Sequence, residues 1–162
     1  MYVNINFFTQ VLERVNIVLR ESFLLFEHDS AWSGRTGAYF CLANRMTGLP
    51  LLIASVGSVH SDKVEKYLTF CQEKAKRLRN NGRLSSWESR NPAKNQWGGA
   101  VAINDDLIFS MSGLPELGDE AVMLASAYWI YPDKMAGLVH LDEIARRSNN
   151  PYWEPLKDFL NR

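Results

Sequence analysis

The chain contains, at residues 96–120, the sequence QWGGAVAINDDLIFSMSGLPELGDE. Two short runs rich in apolar residues, 100–103 and 107–112, are separated by Asn104-Asp105-Asp106, whose side chains readily adopt turn conformations. Because the link is short and polar, the two runs are predicted to pair as a β-hairpin.

The end of this hairpin leads directly into a predicted helix. The residues Ser112-Gly113-Leu114-Pro115 end the strand, and Asp119-Glu120 open a new apolar-periodic segment. A helix N-terminus favours carboxylates through capping and the helix dipole, so we interpret the two acidic residues as a helix start in preference to a catalytic acid/base pair. The junction between strand and helix is the best candidate site in the chain.

A second hairpin is predicted earlier in the chain. Strand-like runs at 38–42 and 51–56 flank a connection that contains Gly48 and Pro50. The predicted fold class is therefore α+β, a single domain over residues 1–162. Its antiparallel sheet includes strands at 38–43, 50–56, 100–104 and 107–112.

Apolar residues at helical spacing predict helices around the sheet. The first has Asn6 as its N-cap and an apolar stripe from Phe8 to Leu19, and another covers 64–78. The apolar residues 23–26 must be covered, either as a strand on the sheet or as a helix extension into a partner subunit. Weaker patterns predict a short helix at 139–147 and a docked tail at 152–160.

The charges of the chain balance, with eighteen Lys and Arg residues against eighteen Asp and Glu. This balance lacks the positive excess by which binders of nucleic acid and anionic membranes gain affinity, so neither partner is expected. Residues 61–94 do carry nine basic residues against four acidic ones. We interpret this segment, Lys74 included, as a solvated helix face, although a partner for it stays open.

The cysteine content bears on the compartment. Cys41 and Cys71 are the two cysteines, and both lie in apolar patterns typical of core thiols. A reducing, cytoplasmic location is the simpler expectation. The opening residues Met1 to Asn6 lack the features of a signal peptide, and the longest apolar runs are too short for a membrane span, so a soluble protein is expected.

The order helix, hairpin, helix, loop, hairpin, helix resembles the GlcG/HbpS-like group, also called the haem-degrading domain family, which includes the C-terminal domain of PduO-type proteins. The resemblance covers roughly residues 36–129. It is carried by Gly98-Gly99-Ala100-Val101 before the last hairpin, Ser112-Gly113 at its end and Asp119-Glu120 after it. Phe109 and Ser110 stand where family members usually have small, glycine-rich residues.

This resemblance implies a profilin-like fold and an oligomer of at least two chains. The family includes haem-binding and haem-degrading proteins, corrinoid-associated domains and members without an assigned activity. The expected cofactor, if any, is therefore haem, and the resemblance indicates a fold more specifically than a reaction.

Eight residues are predicted to bind a ligand. None is assigned a catalytic role, and no metal site is predicted apart from the iron of a bound haem. Glycines allow close backbone approach to an anion, Trp97 offers a flat surface for a planar ligand, and Arg90 could hold its carboxylates. His60 is the candidate haem ligand. The full set is His60, Arg90, Trp97, Gly98, Gly99, Ser112, Gly113 and Asp119.

Three hypotheses of function follow. The first is a small-molecule binding protein of the haem, tetrapyrrole or corrinoid kind. The second is an oligomeric interaction scaffold without catalytic activity, motivated by the apolar helix after Asp119 and by residues 23–26. The third is an enzyme acting on a small acidic or carbonyl metabolite, but Ser110 and Ser112 lie outside the Gly-x-Ser-x-Gly pattern of a nucleophile.

Overall fold

The computed structural model describes residues 4–79 and 81–162, so the expectation for Met1 to Val3 lies outside the described residues. The described chain forms an α+β fold of five α-helices and a four-stranded antiparallel sheet. The helices are α1 (Ile5–Leu25), α2 (Val64–Leu78), α3 (Glu116–Tyr128), α4 (Lys134–Ser148) and α5 (Trp153–Leu160). The strands are β1 (Gly37–Asn44), β2 (Pro50–Gly57), β3 (Ala100–Ala102) and β4 (Leu107–Ser112).

The sheet has the strand order β2-β1-β4-β3, and both predicted hairpins are confirmed. β3 ends two residues earlier than predicted because Asn104 forms the turn. Its side-chain oxygen accepts hydrogen bonds from the backbone N–H groups of Asp106 and Leu107. On the outer side of β3, Leu84 accepts a hydrogen bond from Ala102, so the long loop before β3 covers this edge of the sheet.

Helices cover both faces of the sheet, which explains why every residue of β4 is buried. Phe109 and Met111 belong to the larger core, which α1, α3, α4 and α5 complete. Ile108 belongs to a smaller core against α2, which also contains Cys41 and Cys71. The two cysteines are buried free thiols, as predicted.

The ends of the helices differ from the prediction in three places. Asn4, not Asn6, caps α1, and its side chain accepts a hydrogen bond from the Phe7 N–H. α1 continues through residue 25, so residues 23–26 form no strand. α3 begins at Glu116, directly after Pro115, so Asp119 is the fourth residue of the helix and not its first.

The C-terminal helices pack on the larger core. α4 begins five residues before the predicted 139–147 helix because Asp133 caps it, accepting hydrogen bonds from two backbone N–H groups. The predicted docking of the tail is confirmed, since Trp153 and Leu156 of α5 are buried. Within the described residues, no helix is long and apolar enough to cross a membrane.

Candidate functional site

A cleft of about 250 Å³ lies beside the junction between β4 and α3. We call it the first cleft. α2 supplies one wall with Lys66, Tyr67, Phe70 and Lys74, and the segment 112–116 supplies the opposite wall. Arg35, Trp97 and Asp119 complete the lining. The cleft therefore combines three cationic side chains with three aromatic rings.

A buried ion pair borders the first cleft. The Lys74 ammonium lies 3.0 Å from Asp119 Oδ2, and both side chains are only 3% exposed. Lys74 also donates a hydrogen bond of 2.7 Å to the carbonyl oxygen of Met111. The second carboxylate oxygen of Asp119 accepts a hydrogen bond of 3.0 Å from the backbone N–H of Leu114. The pair thus ties α2 to β4 and to the first turn of α3.

Burial and charge act in opposite directions on Asp119. Loss of hydration raises the pKa of this carboxyl to about 6, although Lys74, the Leu114 N–H and Arg35 all favour its ionised form. A carboxyl with a pKa of this size titrates within the physiological range. Its protonation state is therefore sensitive to any charge that enters the cleft.

Gly99 makes room for this ion pair. Its φ is +114°, and a Cβ built on it would lie 2.7 Å from Asp119 Cβ and 2.8 Å from Lys74 Nζ. Both the backbone conformation and the space therefore require glycine. The atoms that approach Gly99 most closely belong to Asp119, Lys74 and Met111.

Gly98 and Gly113 also allow close contacts between segments of the chain. The Gly98 N–H donates a hydrogen bond of 2.7 Å to Glu116 Oε1, which ties the residue after Trp97 to the start of α3. Gly113 has a φ of +149°, and a Cβ there would lie 2.6 Å from the carbonyl oxygen of Gly37. Gly113 thus allows the β4–α3 connection to pass close to the start of β1.

Arg90 is held at the rim of the first cleft by Glu116. Two guanidinium nitrogens contact the two carboxylate oxygens at 2.9 and 3.0 Å. Glu116 thereby raises the pKa of Arg90. The guanidinium carbon lies 4.5 Å from the ring centroid of Trp87 and 6.0 Å from that of Trp97. The charges of Arg90 and Glu116 compensate each other.

Arg35 and Lys66 supply the excess charge of the first cleft. Arg35 donates one hydrogen bond of 3.1 Å to the carbonyl oxygen of Gly113, and the Lys66 ammonium lies 5.9 Å from the ring centroid of Phe70. Within residues 4–79 and 81–162, neither side chain forms a salt bridge. The acidic residues that line the cleft, Glu116 and Asp119, are both paired with cations, so the charges of Arg35 and Lys66 are in excess.

His60 lies in an adjoining cleft of about 320 Å³, the second cleft. Arg35 and Tyr67 line both clefts. The His60 side chain is 79% exposed, and its Nδ1 lies 2.6 Å from Asp62 Oδ1. This hydrogen bond leaves Nε2 directed away from the carboxylate.

The structure thus brings together most, but not all, of the predicted site. Trp97, Ser112, Gly113 and Asp119 line the first cleft, with Gly98 and Gly99 beside it. Arg90 is at the rim and His60 is in the second cleft. Glu120 follows Asp119 in the sequence, but the helix directs their two side chains to different sides of α3.

Glu120 is fully buried away from the first cleft. One of its oxygens accepts hydrogen bonds from Ser148 and from Asn150, the latter at 3.1 Å. Burial raises its pKa above the ordinary value. Asp119 and Glu120 therefore contact different elements and form no acid/base pair.

Sequence reasoning missed eight residues that line the first cleft. Leu114, Pro115 and Glu116 lie in the junction that was predicted as the site, but they were not singled out. The other five are distant in sequence: Arg35, Lys66, Tyr67, Phe70 and Lys74. The assignment of Lys74 to a solvated helix face was wrong. Its position gave a signal, because it follows Cys71 by three residues and precedes Leu78 by four, on the face that these buried residues share. A charged residue on an apolar stripe requires a buried partner.

No protein-family model, curated protein or solved structure matches the chain. Within the described residues, no group of three or more His, Cys, Asp and Glu side chains is arranged to hold a metal ion.

Proposed function

We propose that this chain is a binding protein for a compact, planar, anionic small molecule, which the first cleft holds. The observation that carries this proposal is the excess positive charge of Arg35 and Lys66 among three aromatic rings. A concave site with an apolar lining and a few convergent polar groups is the usual form of a small-molecule site. The ligand's ring packs against Trp97, Tyr67 or Phe70, and its anionic group faces Arg35 and Lys66.

The buried ion pair supports binding more than catalysis. Asp119 and Lys74 satisfy each other, so neither offers an unpaired group to a substrate. They give the cleft a rigid wall, because each also holds a backbone group of the β4–α3 connection. A rigid, preformed wall lowers the entropic cost of binding.

Titration calorimetry with benzoate, and with phenol as the uncharged control, tests the proposal. We expect saturable binding of benzoate and weaker binding of phenol. Arg35→Ala and Lys66→Ala should each weaken benzoate binding about tenfold, since a charge-assisted hydrogen bond contributes roughly 1.5–3 kcal/mol. Lys76→Ala removes an exposed charge from the same helix and should have no effect. Equal affinity for benzoate and phenol contradicts the proposal.

The assignment of the α+β domain to the profilin-like fold is also a proposal. We infer a profilin-like fold because Ser85 forms an isolated β-bridge with Val101, which adds a short fifth segment beside β3. Gly99 and Asp119, two of the residues that carry the GlcG/HbpS-like resemblance, pack against each other, and this contact supports the resemblance.

Buried free thiols support a reducing, cytoplasmic location.

Haem or a corrinoid, the ligands that the resemblance implies, would be too large for the first cleft alone. Its volume lies below the range of roughly 300–1,000 Å³ that is usual for drug-sized ligands. A tetrapyrrole would instead lie across both clefts. His60 supports this placement. Its Nδ1 forms a hydrogen bond with Asp62, and in a metal-binding histidine the ring nitrogen that does not bind the metal commonly has such a partner.

A haemin titration should then give a saturable Soret shift. His60→Ala should alter the position of the shifted band, and Trp97→Ala should weaken the affinity. A titration like that of an unrelated protein would exclude this ligand.

An oligomeric scaffold is the alternative function. Ile17 and Leu24 lie seven residues apart on the outward face of α1 and are 42% and 65% exposed. Apolar side chains at this spacing share one face of a helix, so they could pack against a second copy of the chain.

A further inference from the structure

The two clefts adjoin each other, because two residues belong to the lining of both. Arg35 and Tyr67 lie between them and line both. The guanidinium of Arg35 uses one N–H for the carbonyl oxygen of Gly113. A guanidinium carries several donors in a planar fork, so the same side chain can contact anionic groups on two sides.

The second cleft also favours an anion. Lys63 and His60 both contact the carboxylate of Asp62, at 3.4 and 2.6 Å. Lys63 and Arg35 carry two positive charges against the one negative charge of Asp62, so positive charge is in excess in the second cleft.

Gly34, Gly37 and Ser58 belong to the lining of the second cleft. A Cβ built on Gly37 would lie 2.6 Å from the backbone nitrogen of Ser58, so this position accepts no side chain. A Cβ built on Gly34 would have no atom within 4 Å.

We propose that the two clefts bind the two ends of a single ligand, a compact aromatic molecule with two anionic groups, such as an aryl phosphate that also carries a carboxylate. This inference rests on the proposed function and deepens it by naming the ligand class. One anionic end faces Lys66 in the first cleft, and the other faces Lys63 and His60 in the second. Arg35 contacts both ends.

Linking the two anionic groups on one ring makes the second contact intramolecular. The second group then binds at a high effective concentration without a second loss of translational freedom. A ligand that carries an anionic group at each end, at the right separation, should therefore bind much more tightly than either single-ended analogue. The added affinity depends on the residues of the second cleft.

Titration calorimetry at pH 7 with three probes on the same ring tests this inference. The probes are phenyl phosphate, benzoate and 4-carboxyphenyl phosphate, with phenol as the uncharged control. We expect 4-carboxyphenyl phosphate to bind at least about tenfold more tightly than either single-ended probe. A double variant, Lys63→Gln with His60→Gln, should lose this gain and keep its affinity for the tighter single-ended probe.

Two controls separate local contacts from general electrostatics and from misfolding. Lys76→Gln removes an exposed charge of α2 outside both clefts and should keep the full gain. Thermal unfolding of each variant reports whether the fold is intact. Both substituted residues of the double variant are largely exposed, so their replacement should leave the melting temperature unchanged.

The outcomes distinguish this inference from the proposed function. Equal affinities for 4-carboxyphenyl phosphate and the single-ended probes, or a gain that survives in the double variant, overturn the inference alone. Binding of all probes no better than that of phenol overturns both.

Discussion

Lys74 and Asp119 form a fully buried ion pair, and such a pair is unusual in a domain of 162 residues. Removing two charges from water costs several kcal/mol per ion, and their attraction offsets this cost only when the remaining donors and acceptors are satisfied. Here Met111 and Leu114 provide backbone partners. The pair therefore specifies how α2 and α3 meet more than it adds stability.

We expect Gly99→Ala to destabilise the protein by roughly 2–4 kcal/mol. The added methyl group would lie within 2.8 Å of both members of the ion pair, and alanine rarely adopts a φ of +114°. Urea unfolding measures the change. Gly82→Ala is the matched control, because Gly82 has a φ of +72° and open space around it, so only the cost of the backbone conformation applies. Equal losses in the two variants would show that the ion pair does not restrict Gly99.

Asp119 should make stability depend on pH. Its pKa is about 6 in the folded chain and has an ordinary value of 3.8, so the folded state binds the extra proton between these pH values. The free energy of unfolding should therefore fall as the pH rises from about 4 to about 6, by roughly 3 kcal/mol from this group.

Asp119→Asn isolates that contribution, because asparagine resembles the protonated side chain and does not titrate. Urea unfolding of both proteins between pH 4 and 7 is the measurement. Other groups, Glu120 among them, contribute to both curves and cancel in the difference. Wild type should lose stability relative to the variant as the pH rises, and parallel curves would contradict the assignment.

At the scale of elements, Arg77 of α2 holds the long loop before β3 in place. Its guanidinium donates to the carbonyl oxygens of Ser86 and Trp97 at 2.8 and 2.5 Å, and to the Ser89 hydroxyl at 2.6 Å. Glu73, one turn earlier, accepts two further hydrogen bonds and orients it. One side chain thus positions the loop that carries Trp97 into the first cleft.

We expect Arg77→Met to loosen this loop while the sheet stays intact. Each lost hydrogen bond to a charged group contributes roughly 1.5–3 kcal/mol, and the loop carbonyls lose their partner. Hydrogen exchange of the amides at 85–97 should accelerate, with little change in β1 and β4. Lys76→Met, at an exposed position of the same helix, should leave exchange unchanged. Uniform acceleration across the protein would indicate global destabilisation instead.

The hairpins could be predicted from sequence because their signals are local. The apolar runs of β3 and β4 flank Asn104, whose side chain forms the turn by itself. The start of α3 was misplaced because acidic residues were weighed above Pro115, which fixes the backbone conformation immediately before the helix. Helix boundaries depend on such competition between neighbouring residues.

The residues that line the first cleft could be predicted only in part, for a different reason. Trp97 and Ser112 belong to the stretch that also specifies the hairpin. Lys74 is 45 residues from Asp119, and Arg35 is 78 residues from Gly113, so only the folded chain brings them together. The position of Lys74 on the buried face of α2 predicts that it is buried, but nothing in one sequence identifies Asp119 as its partner.

For the whole molecule, the layers determine which surfaces are left for a partner. α2 covers one face of the sheet, and the remaining helices cover the other. Buried residues of α1, such as Val11 and Val18, face this core, whereas Ile17 and Leu24 face outward. The apolar residues of α3 that suggested an interface are mostly buried within the chain itself. The case for oligomerisation therefore depends on α1 and not on α3.

If the outward face of α1 binds a second copy, light scattering at concentrations on the order of tens of micromolar should give the mass of a dimer. The double variant Ile17→Glu with Leu24→Glu should be monomeric. In a dimer its carboxylates would lose their hydration and would repel those of the second copy. Its melting temperature at low concentration should match that of wild type, since both side chains are exposed in the single chain. Met135→Glu, which adds a charge at a 71% exposed position of α4, should remain dimeric. A wild-type protein that is monomeric throughout this range would remove the scaffold alternative and leave ligand binding in the first cleft as the function to test.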